Sequence, residues 1–582
     1  MASIDDIFKK SGLPSKRKLE TLRDPNEVYK ANKLSATGDS SRRARVDDED
    51  VEPTTSGADA DENGEDFGPA MPPNDEGDDD EGRFFGGGIT QQESEILEFV
   101  NEVEEGKEEK IDAVWLRKTV LNFEKRITKN AELRAKFESE PQKFISSEAD
   151  LDADIKNLSI LAEHPELYLD FVKLGSANSL VGLLAHENTD IAIDAIELIG
   201  ELTDEDVAAE DEYFDALADA LLDADLIDLL TSNFSRLNED DESDRNGVYY
   251  AMGVLENLCS RSAYATRIGQ DSRLRQWLLE RVQRKEANVS QNKQYAAEII
   301  AILAQGSPEN RSLLASSNAV DILLQLIAPY RKRDPSRGSD EEEYMANLFE
   351  GLTCMVDEEQ GKQLFIEAEG LELCLIILKE GKMARTPALR LLDHASVGTG
   401  SIDMCLKLVD AGGLKSLFTI FMKTKDPRQL DHLLTIFSNM LRRLPADSPE
   451  RIRTLVKFVE KDYEKLKRVM SLRWEYSSRV KMAEQDFLGN RHSAIDDDEL
   501  QIELMSQRLT AGLFTWQVID NILAWLAVED MGAKKLITSL LADRDEGLDS
   551  LRATLKSQVD GLDDDQDTVE LKDMLTVLID IL

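Results

Sequence analysis

The sequence has few of the features that mark membrane, secreted and metal-binding proteins. No apolar run approaches the roughly 18–20 residues that a membrane-spanning helix needs. The start, Met1–Asp6, has no basic segment before an apolar core, so we expect no secretory signal. The four cysteines, Cys259, Cys354, Cys374 and Cys405, are scattered and form no C-x-x-C pair. We therefore expect them to be small buried residues in a reducing compartment, and we expect no metal site.

Enzyme signatures are also missing. The five histidines are far apart, and the chain has no H-E-x-x-H, no phosphate-binding G-x-x-x-x-G-K-[ST] loop and no G-x-S-x-G elbow. His394 beside Asp393 resembles half of a catalytic pair, but no Ser or Cys shares its helix face. A hydrogen-bonded groove residue is the interpretation that suits it better. The sequence predicts no catalytic residue and no cofactor.

What the chain has in excess is acidic charge. The net charge is −47; residues 1–45 carry 11 Lys/Arg against 6 Asp/Glu, and residues 46–82 carry 16 Asp/Glu with no Lys or Arg. The remainder from Arg83 onward therefore has a net charge of −36. Such a field attracts basic partners and repels nucleic-acid phosphates, so extensive direct binding to DNA or RNA is disfavoured.

Residues 1–88 are predicted to be a disordered tail, because they are too polar to offset the entropy of an ordered chain. Two basic clusters in it predict nuclear import signals bound by an import receptor, and hence a nuclear location: Lys16-Arg17-Lys18 and Arg42-Arg43-Ala44-Arg45. The alternative is a solubilising charge run. The acidic tract 46–82 fits a solvated tail, a cover for a basic surface within the chain, or a shield for the import signal.

One apolar phrase recurs six times between Gly175 and Leu444. Its last apolar positions are residues 184, 230, 282, 327, 378 and 421, in steps of 46, 52, 45, 51 and 43 residues. That period is typical of armadillo or HEAT units of about 40–47 residues, and such units must stack to bury their apolar faces. We predict an all-α, right-handed armadillo/HEAT-like α-solenoid of stacked helix pairs.

The predicted organisation has four parts. They are the tail 1–88, an N-terminal helical cap at 89–170, about six repeats at 171–444, and a C-terminal helical region at 445–582. In the last part we predict one long helix over Arg451–Met482, a loop over Ala483–Glu499, a buried helix ending near Leu526 and an amphipathic closing helix at Leu571–Leu582. One face of the long helix is basic, which fits a solvated face, a nucleic-acid patch or pairing with acidic surface.

The last helix of each stacked unit is predicted to line a concave groove. Six carboxylates are predicted to project toward or beside it, opposed only by Arg390: Glu197, Glu201, Glu256, Glu298, Glu350 and Asp393. His394 lies among them, and the amides of Asn257 and Asn439 are predicted to hold a peptide main chain. Each exposed ion pair is worth only ~0–1 kcal/mol, so a basic segment needs several of them acting together. The alternative is that these acids only face solvent.

Several strings resemble the beta-catenin-like protein 1 family over about residues 110–530. They are Leu121-Asn122-Phe123-Glu124-Lys125-Arg126, Lys129-Asn130-Ala131-Glu132-Leu133-Arg134, Pro141-Gln142-Lys143-Phe144, Ser147-Glu148-Ala149-Asp150-Leu151, His186-Glu187-Asn188-Thr189-Asp190, Glu201-Leu202-Thr203-Asp204, Ala301-Ile302-Leu303-Ala304 with Glu309-Asn310-Arg311, Ala388-Leu389-Arg390-Leu391-Leu392-Asp393-His394-Ala395, and Ala511-Gly512-Leu513-Phe514.

The resemblance implies an armadillo-repeat nuclear protein of the spliceosome-associated Prp nineteen complex. It further implies binding of basic, import-signal-like segments of splicing factors, notably the Myb-domain component of that complex, in support of pre-mRNA splicing. Armadillo import adaptors read basic peptides with paired Trp and Asn columns, and here the position one turn before each column residue is never Trp. A nuclear transport adaptor and an acidic chaperone for basic nuclear proteins are the alternative functions. A homodimer is compatible with the sequence.

Overall fold

The computed structural model describes residues 110–207, 209–489, 497–562 and 566–582. These residues all lie within the unit Glu104–Leu582, and residues 1–109 lie outside the described part of the chain. The predicted tail and both predicted import signals are therefore outside the described part of the chain. Within the described ranges all regular secondary structure is helical.

Two helices precede a series of three-helix units. They are α1 (Ala113–Lys136) and α2 (Ile145–Asn157). The six units are α3 (Tyr168–Lys173), α4 (Ser176–Gly182) and α5 (Thr189–Leu202); α6 (Asp211–Asp223), α7 (Leu226–Arg236) and α8 (Glu242–Cys259); α9 (Ser262–Gly269), α10 (Ser272–Gln283) and α11 (Gln291–Gly306); α12 (Pro308–Ser316), α13 (Ala319–Ile327) and α14 (Asp340–Met355); α15 (Glu359–Glu367), α16 (Gly370–Glu380) and α17 (Arg385–Ala395); α18 (Ser401–Asp410), α19 (Gly413–Lys423) and α20 (Pro427–Arg443).

Six further helices and five short 3-10 turns complete the described structure. The helices are α21 (Pro449–Gly489), α22 (Asp497–Thr510), α23 (Leu513–Glu529), α24 (Met531–Ala542), α25 (Leu548–Gly561) and α26 (Gln566–Ile581). The 3-10 turns are Pro141–Lys143, Leu158–Glu163, Pro165–Leu167, Leu183–Ala185 and Ala328–Arg331.

The recurring apolar phrase lies on the second helix of each unit, and a left-handed residue precedes most of these helices. In five units the chain enters the second helix through a positive φ, at Gly175, Asp225, Asn318, Glu369 and Gly412. Such a residue reverses the chain within a few positions, because it cannot continue the preceding right-handed helix. The bend between α12 and α13 is 79°. Each unit therefore contains three helices, whereas the sequence predicted two. The short first helix was not predicted because its apolar periodicity is too weak.

Side-chain caps start most of the third helices. The capping residues are Asn188, Asp241, Ser290, Ser339 and Asp426, and each accepts a hydrogen bond from a backbone N–H of the first helical turn. A cap of this kind stabilises a helix by about 1 kcal/mol. It also fixes where the third helix begins, and therefore which of its faces meets the neighbouring unit.

Helices of the same rank pack on one another from unit to unit. The third helices form a continuous row from α5 through α8, α11, α14, α17 and α20 to α23. The core runs between this row and the second helices. Near its C-terminal end the Phe418 ring stacks on Phe437 at 4.3 Å between centroids and meets Phe458 edge-on at 4.9 Å. Burying one such ring stabilises the fold by about 1.5–3 kcal/mol.

The long helix predicted over Arg451–Met482 is broken. Glu460 has ψ 158°, and the next three residues have φ values of 54–57°, which cost about 1–2 kcal/mol each. Lys465 donates to the Glu460 carboxylate at 2.7 Å, which ties the two sides of the break together. The first segment of α21 packs on α18 and the second on α23, so the predicted continuous basic face does not exist.

Two neighbouring predictions had different outcomes. The loop predicted over Ala483–Glu499 is wrong where the structure describes it, because α21 runs to Gly489 and α22 begins at Asp497. The closing amphipathic helix is confirmed in α26, which buries Leu575, Leu578 and Leu582. Within the described residues no single helix meets the length and hydropathy of a membrane span, although two sharply bent helix pairs meet them jointly.

Candidate peptide-binding surface

The third helices carry the predicted groove residues, but the structure exposes only some of them. Glu201 is exposed, and Glu197 and Glu256 are half-buried. In contrast, the side chains of Glu298 and Glu350 are buried, with residue exposures of 3% and 6%. The prediction that these two carboxylates project toward an open groove is therefore wrong.

Close packing between α11 and α14 accounts for this burial. A Cβ atom at Gly351 would lie 3.4 Å from Leu323 Cδ1 and 3.6 Å from Ile300 Cγ2, so the two helices approach over small residues. The carboxylates are then satisfied internally. Glu298 accepts from Gln294 at 2.9 Å, and Glu350 accepts from Arg390 Nη2 at 3.0 Å. No polar column opens to solvent between these two helices.

Acids further along the row are matched by the next unit. Asp393 faces His432, with 3.0 Å between Oδ2 and Nδ1, while His394 faces Asp357 at 2.9 Å. His394 and Asp393 thus have different partners, and the resemblance to half of a catalytic pair ends there. These contacts join neighbouring units and use hydrogen-bonding positions on both carboxylates.

The two asparagines predicted to hold a main chain also bond within the fold. Asn257 Nδ2 donates to the carbonyl oxygen of Gly200 at 3.0 Å, and Asn439 Nδ2 donates to Ser396 Oγ at 3.1 Å. Each bond crosses from one unit to the preceding one. The donors that a bound peptide would need are therefore already used for packing between repeats.

Four carboxylates on α5 do form a surface, and we call Asp190, Asp194, Glu197 and Glu201 the acidic face. Their spacing places them on one side of the helix, because residues three and four apart are neighbours. The first and last are exposed and the middle two are half-buried. The opposite side of α5 packs into the core.

Crowding within the acidic face alters its proton affinity. Burial, a hydrogen bond with Asp152 and the nearby Glu197 raise the pKa of Asp194 to about 7, although Lys156 lies 3.9 Å away. Burial and the same group of carboxylates raise the pKa of Tyr250, on the adjacent α8, to about 12. Neighbouring carboxylates therefore add to burial in disfavouring the ionised form of Asp194.

The sequence around the acidic face is strongly acidic. Residues 187–244 contain 21 Asp/Glu and one Arg. On α6 many of these acids are compensated by the following unit: Arg261 bonds Asp211 at 2.8 Å and Arg267 bonds Asp223 at 2.7 Å. These pairs reduce the net charge on α6.

Sequence reasoning missed Asp190, Asp194 and Tyr250 as members of this surface. The signal was available as acids spaced by four, three and four residues along α5. This spacing is not apparent when corresponding positions of all repeats are aligned, because the repeats differ in their surroundings. The third helix of the first unit carries four acids at this spacing, and Tyr250 of the next unit lies beside them.

Reactive and metal-binding arrangements are not seen in the part of the chain that the structure describes. No group of three or more His, Cys, Asp or Glu side chains there could hold a metal ion. All four cysteines are unpaired and buried. Burial raises the pKa of the Cys259, Cys354 and Cys405 thiols to about 12, which makes the nucleophilic thiolate scarce.

Comparisons with known proteins agree with the repeat architecture. Residues 94–556 match the family described as catenin-beta-like, Arm-motif containing nuclear. A beta-catenin-like protein 1 homolog of Schizosaccharomyces pombe is 38% identical over 503 residues, covering 85% of this chain and 87% of the relative. Beta-catenin-like protein 1 of Homo sapiens is 34% identical over 470 residues, covering 78% and 83%.

Similar solved structures are more distant. A designed armadillo repeat protein in complex with a (KR)4 peptide has a TM-score of 0.36 and 16% identity, covering 45% of this chain and 98% of that one. A likeness at this level supports no conclusion about binding.

Proposed function

Because this chain belongs to the catenin-beta-like family of Arm-motif-containing nuclear proteins, we propose that it is a nuclear, non-enzymatic scaffold that binds basic, import-signal-like segments of splicing factors. The acidic face of α5 is the observation that carries the proposal. It combines four carboxylates aligned on one side of a helix with a pKa of Asp194 that burial, a hydrogen bond with Asp152 and the nearby Glu197 raise to about 7.

The chemistry of the acidic face suits an extended Lys- and Arg-rich segment. Consecutive carboxylates along a helix face can each accept a charge-assisted hydrogen bond from a different basic side chain. The Tyr250 ring stands beside Glu197 and can contact the aliphatic stem of a lysine or arginine. The surface is confined to the first two units, so the bound segment is short and its affinity depends on salt.

The proposed assembly is the spliceosome-associated Prp nineteen complex, with the Myb-domain component of that complex as the basic partner. The family's description as nuclear supports a place in that compartment. The test is purification of the tagged full chain from nuclear extract, followed by mass spectrometry. Recovery of the complex would support the assignment, and its absence under low-salt washing would overturn it.

Charge reversal on α5 tests the peptide site directly. Asp190→Lys with Glu201→Lys changes the two exposed members and leaves the half-buried pair in place. Each exposed ion pair is worth up to about 1 kcal/mol, so removing two attractions and adding repulsion should weaken binding of an Arg/Lys-rich peptide about tenfold. Isothermal titration calorimetry of the full chain measures this change.

A matched control separates local contacts from the overall field. Asp573→Lys with Asp580→Lys makes the same change in net charge at two exposed positions of α26. We expect the control to bind nearly as well as the parent protein, with unchanged circular dichroism in both variants. Equal weakening in both variants would show that the total charge, and not the acidic face, attracts the peptide.

A further inference from the structure

A cluster of positive charge lies in the fifth and sixth units of this acidic protein. Residues 371–430 carry nine Lys/Arg against six Asp/Glu, while the whole chain has a net charge of −47. Here a cleft of about 840 Å³ opens between α16, α19 and the N-terminal ends of α17 and α20. We call it the basic cleft, and its cationic lining residues are Lys379, Arg385, Lys415, Lys423 and Lys425.

The four lysines of the basic cleft form no salt bridge within the described part of the chain. All four are exposed, and none makes a salt bridge to any residue in the described ranges. The one carboxylate in the lining, Asp426, is the cap of α20 and accepts from the backbone N–H of Arg428 at 3.1 Å. It also accepts from Gln429 at 3.2 Å. The five cations are therefore available to an anionic ligand.

Arg385 adds a directed donor to the basic cleft. Its Nη2 donates to the carbonyl oxygen of Gly381 at 2.9 Å, which holds the guanidinium in place. Its Nε atom is buried and finds no hydrogen-bond acceptor among the described residues. The guanidinium is therefore held beside the lysines with hydrogen-bonding capacity that the described fold does not use. Leu378 and Ile420 supply apolar lining beside the charges.

We propose that the basic cleft binds an acidic, Asp/Glu-rich polypeptide segment of a partner protein. Its volume lies within the range of about 300–1,000 Å³ that ligand sites occupy. A single-stranded nucleic acid fits less well, because such ligands are bound by stacking their bases on aromatic side chains and the cleft lining has none.

This inference is independent of the proposed function. The acidic face lies on the third helix of the first unit, whereas the basic cleft lies on the second helices of the fifth and sixth units. One protein would thus hold a basic segment at one place and an acidic segment at another. Loss of either site leaves the other available for measurement.

The test is fluorescence anisotropy with the full chain and a short fluorescein-labelled poly-glutamate peptide. The parent protein should bind the peptide saturably, and more weakly as salt increases. Lys415→Glu with Lys423→Glu should weaken binding about tenfold, because two attractions become repulsions. Lys415→Gln with Lys423→Gln should cause a smaller loss in the same direction, which covers the case in which the reversed variant does not fold.

Lys125→Glu with Lys129→Glu is the matched control, since both lysines are exposed on α1 and the net charge changes equally. It should leave binding of the glutamate peptide nearly unchanged. No saturable binding by the parent protein, or equal loss in the control, would overturn the proposal. So would tighter binding of an oligouridylate of matched charge that disappears with the cleft variants, because the site would then be one for nucleic acid.

Discussion

A buried ion pair joins α21 to α23, and its removal should destabilise the protein in a strongly pH-dependent way. Arg473 is 1% exposed and Asp520 is fully buried, with 2.7 Å between Arg473 Nε and Asp520 Oδ1. Arg473 also donates to Glu546 at 2.6 Å and to Ser550 at 3.1 Å. We consider the substitution Arg473→Met, which keeps the side-chain length and removes the charge.

The protonation of Asp520 determines how much the substitution Arg473→Met lowers the free energy of unfolding. Burial raises the pKa of Asp520 to about 6 from 3.8 despite the attraction of Arg473. A raised pKa means that the folded state binds more protons, so this group's contribution to stability falls as pH rises from about 4 to about 6. Above about pH 6 the ionised Asp520 lowers the free energy of unfolding by about 3 kcal/mol, because a tenfold change in proton affinity is worth about 1.4 kcal/mol.

Without Arg473 the Asp520 carboxyl has no counter-charge and should keep its proton up to the pH of the assay. At about pH 8 Asp520 then lowers the free energy of unfolding of the variant by about 6 kcal/mol, which is about 3 kcal/mol more than in the parent protein. At about pH 5 both proteins hold Asp520 mostly protonated, so the added cost should be close to zero. The lost bonds to Glu546 and Ser550 contribute a smaller, pH-independent part.

Urea unfolding at the two pH values measures the difference. Trp474, Trp516 and Trp525 all lie in this region, so intrinsic fluorescence reports its unfolding. In an Asp520→Asn background the cost of Arg473→Met should lose most of its pH dependence, because Glu546, the titrating partner of Arg473 that remains, has a lowered pKa. Destabilisation of equal size at both pH values, or a pH dependence that persists in that background, would refute this account of the pair.

Three further predictions concern binding, packing and thiol reactivity. Affinity for a basic peptide should rise between about pH 6 and pH 8 as Asp194, with its pKa near 7, ionises, and Asp194→Asn should flatten that profile in calorimetry. Gly361→Ala should destabilise the protein by about 1–3 kcal/mol in thermal melts, since the new Cβ would lie 1.8 Å from the backbone oxygen of Met355, whereas Gly182→Ala meets no atom within 4 Å and should be neutral or stabilising. The thiols should resist alkylation in the native state and react on unfolding, as followed by mass spectrometry, because all four are buried: Cys259, Cys354, Cys374 and Cys405.

The repeat period was readable because it reflects local chemistry. The apolar phrase recurs wherever a second helix packs into the core, and the left-handed residue before it is often a glycine, as at Gly175 and Gly412. Both signals depend on neighbours a few positions apart.

The short first helices have too weak an apolar periodicity to be predicted as separate helices. The chain reversal after Glu460 depends on contacts that no local sequence pattern encodes.

The candidate site was only partly readable. The excess of acid near α5 is visible in the sequence, but the fate of each carboxylate depends on the unit that follows it. Glu350 meets Arg390, 40 residues later, and Asp393 meets His432, 39 residues later. An alignment of repeats assumes that equivalent positions have equivalent surroundings, and these contacts show that they do not.

By itself the sequence determined the helical class, the stacked repeats, the acidic character and the family. Each of these depends on composition, on short-range periodicity or on short sequence strings that can be compared with other proteins position by position. Tertiary structure alone decided which charges remain available, because charges become paired or buried only when helices distant in sequence come together. Within the described residues it aligned four carboxylates along α5 and placed lysines that form no salt bridge there between α16 and α19.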